Sequence, residues 1–172
     1  AVYSEDKTGF ITGGTFSSDP SAYVPAGYEV ERNANGIYTV RSGSASIGGT
    51  GYKTLEEAIE AAADNETITL ERSIEVSSAI SIGKTLTIDL NGFDITGKNG
   101  EAGCRVFQVI GGGNLTLTGN GKISTAEKND TAFTDSSSVI RVGDNTADKD
   151  AELTVGSGVQ VCAPASYGIT VF

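Results

Sequence analysis

The sequence predicts an all-β fold built from a repeated strand-and-turn unit, and two observations carry this prediction. A run of alternating apolar and polar residues occurs three times, as LTIDLNGFDI from Leu86, LTLTGNGKIS from Leu115 and LTVGSGVQV from Leu153. The 172 residues also include 23 glycines but only three prolines. Short alternating strands separated by many glycine-containing turns are typical of secreted all-β proteins.

A second strand recurs with the same period and defines the repeat. It makes four residues equivalent, at intervals of 27, 33 and 29: Ile82, Val109, Val142 and Val171. A period near 29 residues predicts a β-solenoid, in which each repeat stacks on the last at about 4.8 Å and several repeats share one core. The polar segment Thr125–Ser137 explains the longest interval.

The segment Lys53–Asn65 is the one convincing helix. Thr54 followed three residues later by Glu57 forms a capping box, and the apolar residues fall on one helical face: Leu55, Ala58, Ile59 and Ala62. Because an end repeat exposes unpaired backbone and an open core, we expect this helix to cover the N-terminal end. No comparable cap is visible before Phe172.

Residues 1–45 do not show the repeat, and their pattern predicts a small β-rich element. It contains a short helical turn opened by Asp19-Pro20 and a hairpin over Tyr28–Val40 with Asn35-Gly36 in its turn. Arg41–Gly51 is rich in glycine and serine and is predicted to be a linker. We therefore divide the chain into this element and a repeat domain over residues 46–172.

The dipeptide Asn91-Gly92 admits two interpretations. Alone, between two alternating runs, it predicts a tight hairpin. Beside the other copies, Gly92 becomes a recurring corner, where positive φ lets the chain turn onto the next face.

The segment Gly51–Phe172 resembles the opening of the right-handed parallel β-helix proteins of the pectin-lyase-like superfamily. There an amphipathic helix caps the first coil, so the resemblance implies an all-β, right-handed parallel β-helix with an N-terminal capping α-helix. Separately, Gly13–Val40 resembles an element of large modular surface proteins of gut Firmicutes. That implies a secreted cell-surface module, joined to neighbouring modules of one long chain. Some such proteins bind host glycans or host proteins, immunoglobulins among them.

The superfamily includes lyases and hydrolases, and each of these activities requires particular side chains. Histidine is absent, which argues against the hydrolase pattern. A calcium-dependent lyase pattern needs clustered aspartates and an arginine base, and the candidates are scattered: Asp89, Asp94, Arg105 and Arg141. Asp89 lies on an outward strand face, and its position holds threonine and glycine in the next two copies. We expect no catalytic residue, no metal site and no cofactor; the alternative is a truncated polysaccharide lyase.

Two groups of residues are candidates for binding. The tyrosines of the N-terminal element form either a small core or outward anchors, since interfaces favour tyrosine. The segment Asp144–Asp150 spaces its carboxylates as calcium loops do, but glycine and glutamate are missing from the positions an EF-hand requires, which favours a solvated loop. The candidate binding residues are Tyr23, Tyr28, Tyr38, Asp144, Asp148 and Asp150.

Charge and cysteine content limit the partners. The net charge of −10 opposes binding to phosphate backbones, so nucleic acid is a poor partner. The sequence has no long apolar segment of the kind that inserts into a membrane. Cys104 and Cys162 precede strands two repeats apart, which is beyond disulfide reach in register, so we expect buried free thiols. The function predicted is a non-catalytic spacer and adhesive surface for a host protein or glycan.

Overall fold

The computed structural model describes residues 8–98, 105–125, 138–144, 150–164 and 167–172. Within these ranges the chain forms seventeen strands, one short 3-10 helix and one α-helix. The strands divide among four sheets.

The first sheet is a three-stranded antiparallel sheet near the N-terminus. Its strands, in the order β1-β3-β2, are β1 (Gly14–Phe16), β2 (Tyr28–Arg32) and β3 (Tyr38–Ser42). The predicted hairpin is confirmed, because β2 and β3 pair antiparallel and Gly36 takes φ 77° in the connecting turn. The expected short helical turn is a 3-10 helix over Ser21–Tyr23, but its N-cap is Pro20 and not Asp19; the Asp19 carboxylate accepts the Ser21 amide at 3.0 Å from one residue earlier.

Four repeats of three strands follow, and each of the other three sheets takes one strand from every repeat. The first two repeats contain β6 (Glu66–Leu70), β7 (Ile74–Val76), β8 (Ile80–Ile82), β9 (Thr85–Asp89), β10 (Ile95–Gly97) and β11 (Phe107–Val109). The last two contain β12 (Asn114–Thr118), β13 (Gly121–Thr125), β14 (Ser138–Val142), β15 (Glu152–Val155), β16 (Val159–Cys162) and β17 (Tyr167–Val171).

The register of these parallel pairs confirms the repeat alignment. Leu115 lies opposite Leu86 on one side and Leu153 on the other. The second set of equivalent residues also aligns, from Ile82 through to Val171. Alternation places the aligned aliphatic side chains of the first three repeats inward, where they form one core.

The predicted single right-handed parallel β-helix is nevertheless wrong. The strands form four separate sheets of different kinds: one is wholly antiparallel, two are parallel, and the largest, which contains β6, β9, β12 and β15, is mixed. The mixed character arises because β4 (Ala45–Ile47) pairs antiparallel with both β5 (Thr50–Tyr52) and β6. The chain is predominantly β, but its N-terminal third does not continue one uniform winding.

The helix α1 spans Leu55–Ala61 and is shorter than the predicted Lys53–Asn65. Its start is confirmed, since the Thr54 hydroxyl accepts the Glu57 amide at 3.1 Å. Its end comes early because Ala62 is extended, and the Lys84 ammonium donates to the Ala62 carbonyl at 2.8 Å and the Ile59 carbonyl at 3.0 Å. Lys84 thus satisfies carbonyls that a further helical turn would have bonded.

The dipeptide Asn91-Gly92 makes a corner and not a hairpin. Both residues have positive φ, 50° and 85°, and the Phe93 amide closes the turn on the Leu90 carbonyl at 2.8 Å. The flanking strands β9 and β10 lie in different sheets. The local geometry is that of a tight turn, but the stacking of repeats decides which strands pair.

The predicted linker Arg41–Gly51 is wrong, because its residues form parts of β3, β4 and β5. The Gly43 amide donates to the Gly27 carbonyl at 2.9 Å, and a methyl group at Gly27 would overlap the Gly51 carbonyl. Glycine here allows two backbones to approach closely and does not serve flexibility. The N-terminal sheet is therefore packed directly against the mixed sheet.

Candidate functional site

The three candidate tyrosines are half-buried, and two of them contact other side chains of the N-terminal element. Tyr28 and Tyr38 lie on one face of the first sheet. Tyr38 pairs with Arg32, which lies four residues after Tyr28 on the same strand and therefore on the same face. Tyr38 carries the Arg32 guanidinium 5.7 Å from its ring centroid. Tyr23 contacts Phe10, with ring centroids 5.6 Å apart. Tyr23 and Tyr38 are thus engaged by neighbouring side chains of the element, while all three tyrosines keep part of their surface accessible.

The acidic loop is only partly within the described residues. Asp144 is half-buried and Asp150 is exposed. Asp148 lies outside the described ranges, as do residues 126–137 of the polar segment. Among the residues that the structure describes, no three acidic, histidine or cysteine side chains come together in a way that would hold a metal ion.

Asp89 and Asp94 flank the Asn91-Gly92 corner, and both contact neighbouring repeats. An Asp89 carboxylate oxygen accepts the Asn91 amide at 2.9 Å and lies against Gly119 of the next repeat. An Asp94 oxygen accepts the Lys122 amide at 2.8 Å, while the Asp94 amide donates to the Ser73 hydroxyl at 3.0 Å. Asp94 therefore bridges three repeats, and both carboxylates are engaged by backbone donors.

Replacing Asp94 with alanine is expected to lower the free energy of unfolding by about 1–2 kcal/mol, because the Lys122 amide loses a charged acceptor. Asp94→Asn keeps an acceptor oxygen and should lose less than half as much. Glu75→Ala, which removes an exposed partner of Lys98, should lose about 0–1 kcal/mol. Urea denaturation of the three variants measures this order, and equal losses for alanine and asparagine would contradict it.

Arg105 and Arg141 lie near each other beside the sheet that contains β11 and β14. The Arg105 guanidinium donates to the Gln108 side chain at 3.0 Å. The Arg141 guanidinium donates to the Gly143 carbonyl at 3.2 Å and lies 4.3 Å from the Phe172 ring centroid. Burial lowers the pKa of Arg105, and the charge of Arg141 lowers that pKa further. A lowered pKa is the direction that a lyase base needs, but no described acidic cluster accompanies it.

The mixed sheet presents a column of threonines on its outward face, which sequence reasoning missed. Adjacent strands place four threonines in register: Thr67, Thr87, Thr116 and Thr154. Their hydroxyls repeat at the strand spacing of about 4.8 Å. The signal was present in the sequence, because a threonine follows the first leucine in all three copies of the repeat.

The end of the fold formed by β15, β16 and β17 exposes a large apolar surface. Its most exposed apolar residues are Val155, Tyr167, Ile169, Val171 and Phe172. A shallow depression of about 560 Å³ lies there between β15 and β17.

Two further predictions concern the cysteines and membrane insertion. Cys162 is a free thiol, as expected, but it is half-buried in β16 and not fully buried; Cys104 lies outside the described residues. The one α-helix of the described residues has seven residues, and none there is long and apolar enough to cross a membrane.

Comparison with known proteins gives this fold no relative: no protein-family model matches the chain, and neither a curated protein nor a solved structure matches it. The resemblances of Gly51–Phe172 and Gly13–Val40 therefore stay predictions from the sequence.

Proposed function

We propose that this chain is a non-catalytic module of a secreted bacterial surface protein, which acts as a rigid spacer and as a binding surface for a host protein, such as an immunoglobulin, or a glycan. The observation that carries the non-catalytic part is the use of Asp89 and Asp94. Both carboxylates accept backbone amides at the corners of the repeats, which is a structural role. A polysaccharide lyase needs such groups free to hold a cation and its substrate.

The spacer role is supported by the stacking of the repeats. Strands of consecutive repeats pair in register in three sheets, and their aliphatic side chains form one continuous core. The backbone contact at Gly27 and Gly43 attaches the N-terminal sheet to this core. Repeats that share a core and paired edges resist bending between them, so surfaces along the module keep fixed separations.

Binding is to be tested with the whole chain, immobilised and exposed separately to serum proteins and to a glycan array. Retention of a serum protein or of a defined glycan supports the proposal. The lyase alternative is tested in the same preparation with polyuronates and Ca²⁺. Appearance of unsaturated uronate products, together with no retained ligand, would overturn it.

Two substitutions locate the binding surface once a ligand is found. Thr116→Lys places a charge at the centre of the threonine column, and it is expected to reduce retention at least tenfold if the ligand lies on the mixed sheet. Tyr38→Ala should do so if the ligand lies on the first sheet. Thr39→Ala is the matched control, because Thr39 is exposed on the opposite face of the same strand. A ligand that tolerates both test variants uses neither surface.

A further inference from the structure

The sequence contains four Asn-Gly pairs, and the fold places three of them in different surroundings. An asparagine that precedes glycine is prone to attack by the glycine backbone nitrogen, because glycine has no Cβ to hinder the approach. The pairs are Asn35-Gly36, Asn91-Gly92, Asn99-Gly100 and Asn120-Gly121, of which Asn99-Gly100 lies outside the described residues. The contacts of each described pair decide whether this attack is open to it.

Two of the described pairs are held by contacts between repeats. The Asn91 side-chain amide donates to the Leu70 carbonyl at 3.1 Å. The Gly92 amide donates to the Asn120 carbonyl at 2.7 Å. The Asn120 side-chain oxygen lies against Gly158 of the last repeat, where an added methyl group would overlap it. Rotation of either asparagine side chain towards its glycine nitrogen is therefore hindered by a neighbouring repeat.

The pair Asn35-Gly36 lies at the tip of the hairpin between β2 and β3, away from the repeats. Asn35 is exposed, and its side-chain amide has no partner among the described residues. The Gly36 amide donates within the same turn, to the Asn33 carbonyl at 3.0 Å. A hydrogen bond at an exposed loop tip opens at little cost in free energy, whereas separating stacked repeats requires a much larger opening. The attack is therefore open to this pair while the fold stays intact.

A cation lies beside the same pair. A methyl group built on Gly36 would lie 3.3 Å from an Arg32 guanidinium nitrogen. The Arg32 guanidinium also lies over the Tyr38 ring, 5.7 Å from its centroid, which favours this position. Arg32 has no ion-pair partner within the part of the chain that the structure describes. A positive charge held here favours loss of the Gly36 amide proton and stabilises the oxyanion that forms during the attack.

We propose that Asn35 is a site of spontaneous modification, where the asparagine converts to isoaspartate and aspartate with assistance from Arg32. The Gly36 backbone nitrogen forms a bond to the Asn35 side-chain carbonyl carbon. The bond from that carbon to the amide nitrogen breaks, and ammonia leaves with the proton of the Gly36 amide. Water then opens the resulting cyclic imide at either carbonyl, so the conversion needs neither an oxidant nor a reductant.

The conversion changes both the charge and the backbone of the hairpin. Each product has a carboxylate in place of the amide, which makes the net charge of −10 one unit more negative. The carboxylate forms beside Arg32, so the two groups become ion-pair partners. The isoaspartate product also lengthens the backbone of the turn by one carbon. The modification does not depend on the proposed function, since it needs only water and the folded hairpin.

Incubation of the whole folded chain at mildly alkaline pH tests the proposal, with peptide mapping by mass spectrometry and an isoaspartate-specific methyltransferase assay. We expect isoaspartate and aspartate to accumulate at position 35, while Asn91 and Asn120 are retained. In urea the three positions should convert at similar rates, because the contacts between repeats are lost. Retention of Asn35 in the folded chain overturns the proposal, and so does equal conversion of the three positions in the folded chain.

Two substitutions test the assistance from Arg32. Arg32→Gln should slow conversion at Asn35 about two- to fivefold in the folded chain, as expected for an exposed charge, without changing the rate in urea. Arg41→Gln is the matched control, because Arg41 pairs with Glu29 in the same sheet away from the turn, and it should leave the rate unchanged. Circular dichroism checks that both variants keep the fold. Conversion of Asn35 at the wild-type rate in the folded Arg32→Gln chain contradicts the role of Arg32.

Discussion

Replacing Phe107 with alanine is expected to lower the free energy of unfolding by about 3–5 kcal/mol. Phe107 is fully buried in β11, between Ile80 of β8 and Ile140 of β14. Truncation removes the aromatic ring from the core and leaves a cavity whose walls are strands held by hydrogen bonds on both sides. Such walls collapse little, so the loss should lie in the upper part of the usual range.

Phe107→Leu is the matched control, since leucine approaches the isoleucines that occupy the equivalent positions. It should cost less than about 1.5 kcal/mol. Gln108→Ala, on the outward side of the same strand, should cost about 1 kcal/mol through its lost bond to Arg105. Urea denaturation with a shared m-value measures all three. A Phe107→Ala loss no larger than that of Gln108→Ala would show that the three parallel columns do not share one core.

The sequence predicted the repeat register because burial imposes a strict alternation on each strand. A shift of one residue would move Leu86, Leu115 and Leu153 from the core to solvent, so the pattern alone specifies which residues align. The start of α1 was equally predictable, since capping is local chemistry between Thr54 and Glu57. Both features depend on residues that are close in sequence or repeated in kind.

The features that were missed depend on contacts between residues distant in sequence. Arg41–Gly51 has the composition of a linker, and only the approach of Gly27 to Gly43 and Gly51 shows why glycine is needed there. The end of α1 is set by Lys84, more than twenty residues away. The antiparallel addition of β4 and β5 to the mixed sheet has no periodic signal, and this is where the prediction of one uniform β-helix failed.

For the candidate site, too, local features could be predicted from the sequence, and contacts between repeats could not. Asp89 was not retained as a catalytic candidate on sequence grounds, because its position holds threonine and glycine in the other copies and so does not require a carboxylate. The bridging role of Asp94 could not be read from spacing, since its partners Ser73 and Lys122 lie in other repeats.

Replacing Gly27 with alanine is expected to lower the free energy of unfolding by about 3 kcal/mol, the sum of a left-handed backbone penalty of about 1–2 kcal/mol and overpacking of about 1–3 kcal/mol. Gly27 has φ 82°, and an added methyl group would overlap the backbone of Gly51. The strand that carries Gly51 is held by β4, so it cannot retreat without breaking sheet pairs. The packing of the N-terminal sheet on the mixed sheet should therefore be lost first.

Gly49→Ala separates the two terms of this loss. Gly49 has φ 86°, almost the same as Gly27, but a methyl group there meets no atom within 4 Å. It should therefore show the backbone penalty alone, about 1 kcal/mol. Limited proteolysis gives a second measurement, because release of the N-terminal sheet should expose the segment around Gly43 in the Gly27 variant only.

Equal losses for the two variants would mean that the close approach of Gly27 and Gly51 does not hold the N-terminal sheet in place. The rigid attachment on which the spacer role depends would then have to come from elsewhere, with the ion pair between Arg72 and Glu29 at 3.2 Å as the next contact to remove.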